Sequence, residues 1–274
     1  MAVRWGDEAV VNGATSVRQW MVDYQEEDNP YAATNTRGGT DRHCGIVDWT
    51  GAYGAYGGTP IVFPGEALAF AGEAALDKGC KGTAITERIQ IVWNHAKNDY
   101  VAHVVHFAGN GDLTLGGIGS ALSDNTVPTG LYCSGDTQIK IDGVAFSDVQ
   151  GAMLDIRATH GKPPGQIGNL PYATGGKTRR IKGRIDWVAY VDVLSDPDFS
   201  LLPQPKQIVE FQAYTNATQY WDMHYGRIQR LENLGADTEG TGLIQVRIHI
   251  AMKGVYGSVY GSITTPAEVV KWPS

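Results

Sequence analysis

The chain has 274 residues, a length that suits one large domain or two domains of about 100–150 residues. Its 22 Lys and Arg against 29 Asp and Glu give a formal net charge of −7, which disfavours a globally basic nucleic-acid binder. With 42% apolar and 19% charged residues, the composition is that of a folded protein.

Cysteine content and hydropathy indicate the cellular compartment in which the chain folds. Three cysteines are an odd number, so we expect Cys44, Cys80 and Cys133 to be free thiols with a structural role. The N-terminal residues show no secretory signal, and no apolar run approaches the roughly 20 residues of a membrane span. We therefore expect folding in a reducing cytoplasm and no membrane partner.

Alternation of apolar and polar residues, the pattern of half-buried strands, recurs along the chain. The segments that show it are 84–94, 100–109, 138–146, 150–158, 181–193 and 242–254. The first two are separated by 95–99, which suits a hairpin turn. The sequence therefore predicts an all-β, mainly antiparallel fold.

Two short segments favour helix instead. Residues 73–81, EAALDKGCK, could form two turns with Gly79 near the end. Residues 215–226 could form another, with Thr215 or Asn216 as its N-cap.

Two long segments, 25–43 and 159–180, have no periodicity and read as inter-strand loops, which at this length are often functional. The first opens with the acidic residues Glu26, Glu27 and Asp28. A basic cluster lies at the end of the second segment and just after it, formed by Lys177, Arg179, Arg180 and Lys182. We interpret the two loops as arms that reach a neighbouring molecule; the alternative is that both are simply solvated.

Similar residues recur in the same order at a nearly constant separation. The Asp-Trp pairs that begin at Asp48 and Asp186 are 138 positions apart, and Ile89 and Ile228 are 139 apart. The pairs Tyr31/Tyr172, Gly13/Gly143 and Gly109/Gly254 follow at 141, 130 and 145.

This repetition predicts a tandem duplication, with units at 1–115 and 131–274 and a Gly-rich linker at 116–130. We expect each unit to be a β-sandwich or small barrel with one short helix and one long inter-strand loop.

Motifs of catalysis and cofactor binding are missing from the sequence. There is no Walker loop, dinucleotide fingerprint, nucleophile elbow or H-E-x-x-H. His103 and His106 are three apart, a spacing that points them to opposite faces of a strand, so a metal site with His95 is disfavoured. A Cys44 nucleophile next to His43 is disfavoured for the same reason. We expect no catalytic, cofactor-binding or metal-binding residues, and therefore no enzyme.

The tandem β units, the acidic chain and the long arms resemble the major tail tube proteins of long-tailed bacteriophages. The segment KIDGVAFSDVQGAMLDI at 140–156 is similar to the opening of such units, and the Asp-Trp strand is the second segment similar in residues. The first unit departs from this pattern, because its opening at 10–24 lacks the Asp-Val-Gln feature.

The resemblance implies a structural virion protein that self-assembles into stacked rings and forms the hollow tail tube through which DNA passes. A duplicated member would form a trimeric ring with pseudo-sixfold symmetry and an acidic lumen that repels the duplex. Tape-measure and tail terminator or initiator proteins are the implied partners. The implied location is the virion tail, assembled in the host cytoplasm, and the two charged loops become candidate inter-ring contacts.

Other classes stay open at this point. The chain could be another virion β protein, such as a head decoration or connector protein. Its 7 Trp, 13 Tyr and 6 Phe could also build the sugar-binding face of a carbohydrate-binding or adhesive module. An enzyme with an unrecognised site is the remaining possibility.

Overall fold

Strands make up the regular structure of the described residues, apart from one 3₁₀ turn at Ser134–Asp136. The computed structural model describes residues 10–14, 16–31, 41–58, 60–75, 78–118, 131–161, 180–196, 199–217, 219–236, 242–253 and 260–262. Within these ranges no segment is an α-helix, and none is a helix long and apolar enough to cross a bilayer.

Six strands belong to the first half: β1 (Val10–Val11), β2 (Val17–Tyr31), β3 (Asp41–Tyr56), β4 (Ala67–Ala75), β5 (Lys78–Trp93) and β6 (Ala102–Gly117). The second half begins with β7 (Ile139–Ile141), β8 (Val144–Ala145), β9 (Val149–Gly161) and β10 (Ile181–Ser195). It continues with β11 (Ile208–Tyr214), β12 (Tyr220–Ala236), β13 (Ile244–Met252) and β14 (Tyr260–Ser262).

All fourteen strands join in one antiparallel sheet, whose longest path runs β2-β3-β6-β5-β9-β10-β13-β12-β11-β7-β8. The all-β prediction is thus confirmed. The expected pair of separate sandwiches or barrels is not what the sheet shows, because β5 of the first half hydrogen-bonds to β9 of the second. Residues 119–130, most of the expected linker, lie outside the described residues.

The strand order of the first half recurs in the second. The first half runs β2-β3-β6-β5, with β4 beside β5 and β1 beside β4; the second runs β9-β10-β13-β12, with β11 beside β12 and β7 beside β11. Residue pairing agrees as well. Arg88 lies opposite His106 directly after a bulge, and Arg230 lies opposite His249 directly after a bulge. Equivalent residues of β5 and β12 are thus 142 positions apart.

The Asp-Trp strands fix the equivalence at the other side of each half. Trp49 on β3 lies opposite Tyr24 on β2, and Trp187 on β10 lies opposite Ile156 on β9. In both strands the Asp carboxylate accepts a hydrogen bond from the N–H of the following Trp, at 2.8 and 2.9 Å. Equivalent residues of β2 and β9 are therefore 132 positions apart.

The turns before β4 and β11 share an unusual backbone conformation. Gly65 has a φ of 85° and Lys206 a φ of 79°, the left-handed region that a non-glycine residue rarely adopts. The side chains of Glu66 and Gln207 each accept a hydrogen bond from the backbone N–H three residues earlier, at 3.0 and 3.1 Å. The two halves therefore share turn geometry as well as strand order.

The core lies on one face of the sheet and is continuous across both halves. In the first half Trp49, Phe70 and Phe107 pack together, with the two Phe rings 4.6 Å apart. Trp221 joins the halves, because its indole N–H donates to the Gly58 carbonyl at 2.8 Å. Aromatic packing and burial, rather than disulfides, hold this core together.

The two predicted helices are wrong. Residues 73–81 span the end of β4 and the start of β5, and residues 215–226 run into β12. Ala, Glu and Lys favour helix in isolation, but cross-strand pairing of Gly72 with Cys80 overrides that local preference. In β12, residues 220–223 pair with residues 211–214 of β11, and this cross-strand pairing excludes a helix there.

Gly109 tests this packing. An added Cβ would lie 2.3 Å from Nε1 of Trp49, whereas at Gly54 of β3 the nearest atoms are 3.8 Å away. We expect Gly109→Ala to lower the free energy of unfolding by about 1–3 kcal/mol, the usual cost of overpacking a core. Gly54→Ala should change it by less than about 0.5 kcal/mol. Urea titration of both variants measures this, and equal midpoints would contradict the described packing.

Candidate assembly surface

The two halves join along what we call the internal seam, residues 88–93 of β5 paired with residues 152–157 of β9. On the core face Ile89 lies opposite Ile156 and Ile91 opposite Leu154, and all four side chains are fully buried. The seam therefore combines backbone hydrogen bonds with apolar burial.

The other side of the sheet, which we call the open face, carries a charged network at the seam. Arg88 and Arg157 lie directly opposite each other, a repulsive arrangement for two cations. Asp155 lies between them. It accepts two hydrogen bonds from Arg88, at 2.9 and 2.7 Å, and three from Arg157, at 2.5 to 3.1 Å. One carboxylate thus holds both guanidinium groups.

The protonation state of Asp155 follows from this network. The residue is 1% exposed, and burial alone would raise the pKa of its carboxyl. Hydrogen bonds from Arg88 and Arg157 outweigh that effect and hold the pKa below its ordinary value. Asp155 is therefore an anion at neutral pH, and the seam depends on its charge.

Two of the strand edges that lack a partner among the described residues are long and correspond to the strands of the internal seam. β2 ends the sheet, so its side away from β3 is unpaired. The side of β12 that carries β11 is paired only as far as Ile228, whose N–H and carbonyl bond to the turn before β11. We call residues 20–25 of β2 and 230–235 of β12 the free edges. By the equivalences above, they correspond to β9 and β5 of the internal seam.

The free edge of β2 exposes apolar side chains whose equivalents are more buried at the internal seam. Tyr24 is 47% exposed, whereas its equivalent Ile156 is fully buried against β5. On the open face Met21 is 65% exposed, whereas its equivalent Met153 is half-buried. Leu234 is 40% exposed, about as much as its seam equivalent Val92 at 42%. Both free edges are therefore unpaired in their backbone, and that of β2 also exposes apolar side chains, the combination expected of an assembly surface.

The acidic part of the expected first arm lies in a strand. Glu26 pairs with Val47 and Asp28 with Cys44, with Glu27 at the bulge between them, and their side chains lie outside the described residues. Of the loop expected over 25–43, residues 25–31 and 41–43 are strand, and 32–40 lie outside the described residues. Polar residues near the end of a hairpin gave the pattern of a loop.

The four basic residues expected in the second arm do not form one cluster among the described residues. Lys177 and Arg179 lie outside the described residues, and Lys182 is in β10, opposite His160. Arg180 makes an ion pair with Asp48, with hydrogen bonds of 2.9 and 2.7 Å, and also donates to the Gly109 carbonyl. The base of the second arm is thus anchored to the first half of the same chain, a contact that sequence reasoning missed.

Further ion pairs follow the open face beyond the seam. Arg247 bonds Asp192 at 2.7 and 2.8 Å, and Arg230 contacts Glu232 at 2.5 Å. Glu232 also contacts Nε2 of His249 at 2.7 Å. Arginines and carboxylates are therefore interleaved on this face.

Glu210, Asp222 and His224 form a separate cluster on β11 and β12, with potential ligand atoms within 4.8 Å of one another. Burial, followed by hydrogen bonding with Glu210, raises the pKa of Asp222 to about 6. Carboxylate and imidazole groups are ligands that divalent cations accept, whereas no metal-binding residue is expected from the sequence. All three residues of the cluster belong to the second half.

Two other residues considered in the sequence analysis, His103 and Cys80, are buried. His103 is buried, with Nδ1 2.7 Å from the Gly57 carbonyl. Burial raises the pKa of the Cys80 thiol to about 11, which suppresses the reactive thiolate. Neither environment suits catalysis.

Comparison with known proteins adds no relative to these observations. No protein-family model matches the sequence, and no curated protein is similar to it.

Asp155→Asn tests the seam network. Removing the carboxylate leaves Arg88 and Arg157 facing each other, so the free energy of unfolding should fall by about 2–4 kcal/mol at neutral pH. The exposed equivalent Asp23→Asn should change it by less than about 0.5 kcal/mol. Because the folded pKa is lowered, the difference between wild type and Asp155→Asn should shrink as the pH falls below about 3.9. Denaturant titrations across pH measure both, and a constant difference would contradict this account.

Asp222→Asn tests the raised pKa. A folded pKa above the unfolded one gives stability that is present below the unfolded pKa and lost as the pH rises through about 6. The variant removes this loss, so we expect it to gain about 1–2 kcal/mol over wild type at pH 8 and little at pH 4. Thermal unfolding at the two pH values measures the difference. A loss of stability at pH 8 would overturn the assignment.

Proposed function

We propose that this protein is the subunit of a self-assembling tube, of the kind that forms the tail of long-tailed bacteriophages. One observation carries the proposal: the internal seam joins the equivalents of two edges that have no partner among the described residues, β2 at one end of the sheet and the part of β12 beyond Ile228. The free edge of β12 in one copy is equivalent to the seam edge of β5. The free edge of β2 in the next copy is equivalent to the seam edge of β9. Pairing them would repeat the internal seam between chains.

Such pairing is head to tail, because the two edges are different surfaces. Heterologous contacts of this kind close into rings when the rotation permits, and rings can stack into filaments. Under this proposal a tandem duplication gives each chain two equivalent units, and three chains would supply six. Ring closure would satisfy the backbone groups of both free edges and cover Tyr24. Left unpaired, such edges promote aggregation.

Charge on the open face supports a conduit for DNA. Arg88 and Arg157 are bound to Asp155, and the guanidinium groups of Arg230 and Arg247 are each bound to a carboxylate. Arginines held in this way have fewer donors to offer to phosphates, so a duplex that passes this face would meet little specific attraction. The interleaved charges replace the uniformly acidic lumen of the initial expectation as the proposed means of easy passage.

Stacking of rings requires a second surface. Lys177 and Arg179 remain our candidates for the basic side of that contact, and Glu26–Asp28 for the acidic side. Arg180 is assigned a different part, because its ion pair with Asp48 fixes the base of the arm to its own chain. Tape-measure, initiator and terminator proteins, and a place in the virion tail, belong to the same proposal.

Paired cysteines test the edge contact. The register of the internal seam, where Val92 lies opposite Met153, places Leu234 opposite Met21 of the next copy. In a chain whose Cys44, Cys80 and Cys133 are replaced by Ala, Met21→Cys with Leu234→Cys should form covalent oligomers of one limiting size on oxidation. Each single-cysteine variant should give no more than a disulfide-linked dimer. Non-reducing gels and negative-stain electron microscopy measure size and shape.

Hollow rings or filaments, together with a covalent ladder that ends at one size, would support the proposal. A ladder absent at concentrations where the particles form would exclude this register. A chain that stays monomeric at all concentrations and binds glycans with a change in Trp fluorescence would favour the carbohydrate-binding alternative instead.

A further inference from the structure

The contact between chains differs in charge from the internal seam, although the two share one backbone register. At the internal seam Gln90 lies opposite Asp155 and Arg88 opposite Arg157. The same register places Glu232 opposite Asp23 of the next copy, and Arg230 opposite Gln25. A neutral side chain beside the central carboxylate is thus replaced by a second carboxylate.

Within a single chain, Arg230 already has a carboxylate partner. Its guanidinium contacts Glu232 at 2.5 Å, and Glu232 is held in turn by His249 at 2.7 Å. At the internal seam the equivalent Arg88 has Gln90 as its neighbour and reaches across to Asp155 with two hydrogen bonds. Glu232 therefore competes with the next copy for the arginine that the shared register directs toward Asp23.

We propose that Glu232 restrains association between chains by holding Arg230 within its own chain and by placing a carboxylate opposite Asp23 of the incoming copy. This inference rests on the proposed edge contact. Like charges directly opposite on paired strands are destabilising, and an arginine shared between two carboxylates gains less from each. The contact between chains is then weaker than the seam within the chain, so the subunit stays soluble until its concentration or an initiator favours growth.

Other groups near Glu232 do not replace Arg230 as its cation. Arg247 lies opposite Glu232 on β13, but its Nε and Nη2 donate to Asp192. Tyr190 packs its ring against His249, with centroids 4.9 Å apart. Arg230 is therefore the cation that Glu232 and the incoming Asp23 share.

Glu232→Gln is the test, because it gives the contact the side chain found at the internal seam. We expect the concentration at half-assembly to fall about fivefold, the size expected for one like-charge contact between strands. Assembly of the variant should weaken as salt is added, since the attraction between Arg230 and Asp23 then dominates. Wild-type assembly should change little or strengthen with salt. Mass photometry and sedimentation at low and high ionic strength measure these effects.

Two further variants identify the cause. Asp23→Asn in the Glu232→Gln background should remove the gain, because the arginine loses its acceptor in the next copy. Asp136→Asn, which removes one exposed negative charge from the 3₁₀ turn outside both free edges, should leave half-assembly unchanged. An equal gain from Asp136→Asn would mean that net charge alone controls assembly, and would overturn the proposal.

The outcomes separate this inference from the proposed function. If wild type forms rings and Glu232→Gln forms them no more readily, the restraint is refuted and the tube proposal stands. If neither chain associates at any concentration, and the paired cysteines at 21 and 234 also fail to cross-link, both are refuted.

Discussion

Strand edges must be paired or protected, and this requirement governs the whole molecule. A strand at the end of a sheet presents a row of unpaired N–H and C=O groups. Within the chain the edges of β5 and β9 satisfy each other, and their side chains form a buried apolar row on one face and a charged cluster on the other. The corresponding edges of β2 and of the far part of β12 have no partner among the described residues. At β2 the exposure of Tyr24 follows from that missing partner, because the equivalent Ile156 is buried at the internal seam.

The two halves share a path but differ in chemistry. Backbone features recur closely, as the left-handed turns at Gly65 and Lys206 show. Side chains on the open face differ more, since the position of Arg157 is held by Gln25 in the first half. Among the described residues, a cluster such as Glu210 with Asp222 exists only in the second half. The two halves are therefore alike in backbone pairing and differ in their exposed side chains.

Strand positions could be predicted from the sequence because burial on one face imposes a period of two, as in 181–193. The helix expected at 73–81 failed because its local propensity was weaker than pairing across the hairpin. The internal seam had no local signal: Arg88 and Asp155 are 67 positions apart, and their contact depends on the packing of the complete sheet. Arg180 was singled out for its charge, but its partner Asp48 could be identified only from the fold.

Covalent continuity through the internal seam has a kinetic consequence. Two separate chains that form such a contact must give up translational and rotational freedom, at a cost of several kcal/mol. Here β5 and β9 belong to one polypeptide, and the loss of freedom is therefore part of the cost of folding. The connecting chain fixes the local concentration of one edge about the other. In a ring of six equivalent units built from three such chains, half of the contacts would form without any collision. The rate of nucleation would then depend on a lower power of subunit concentration than for six single units.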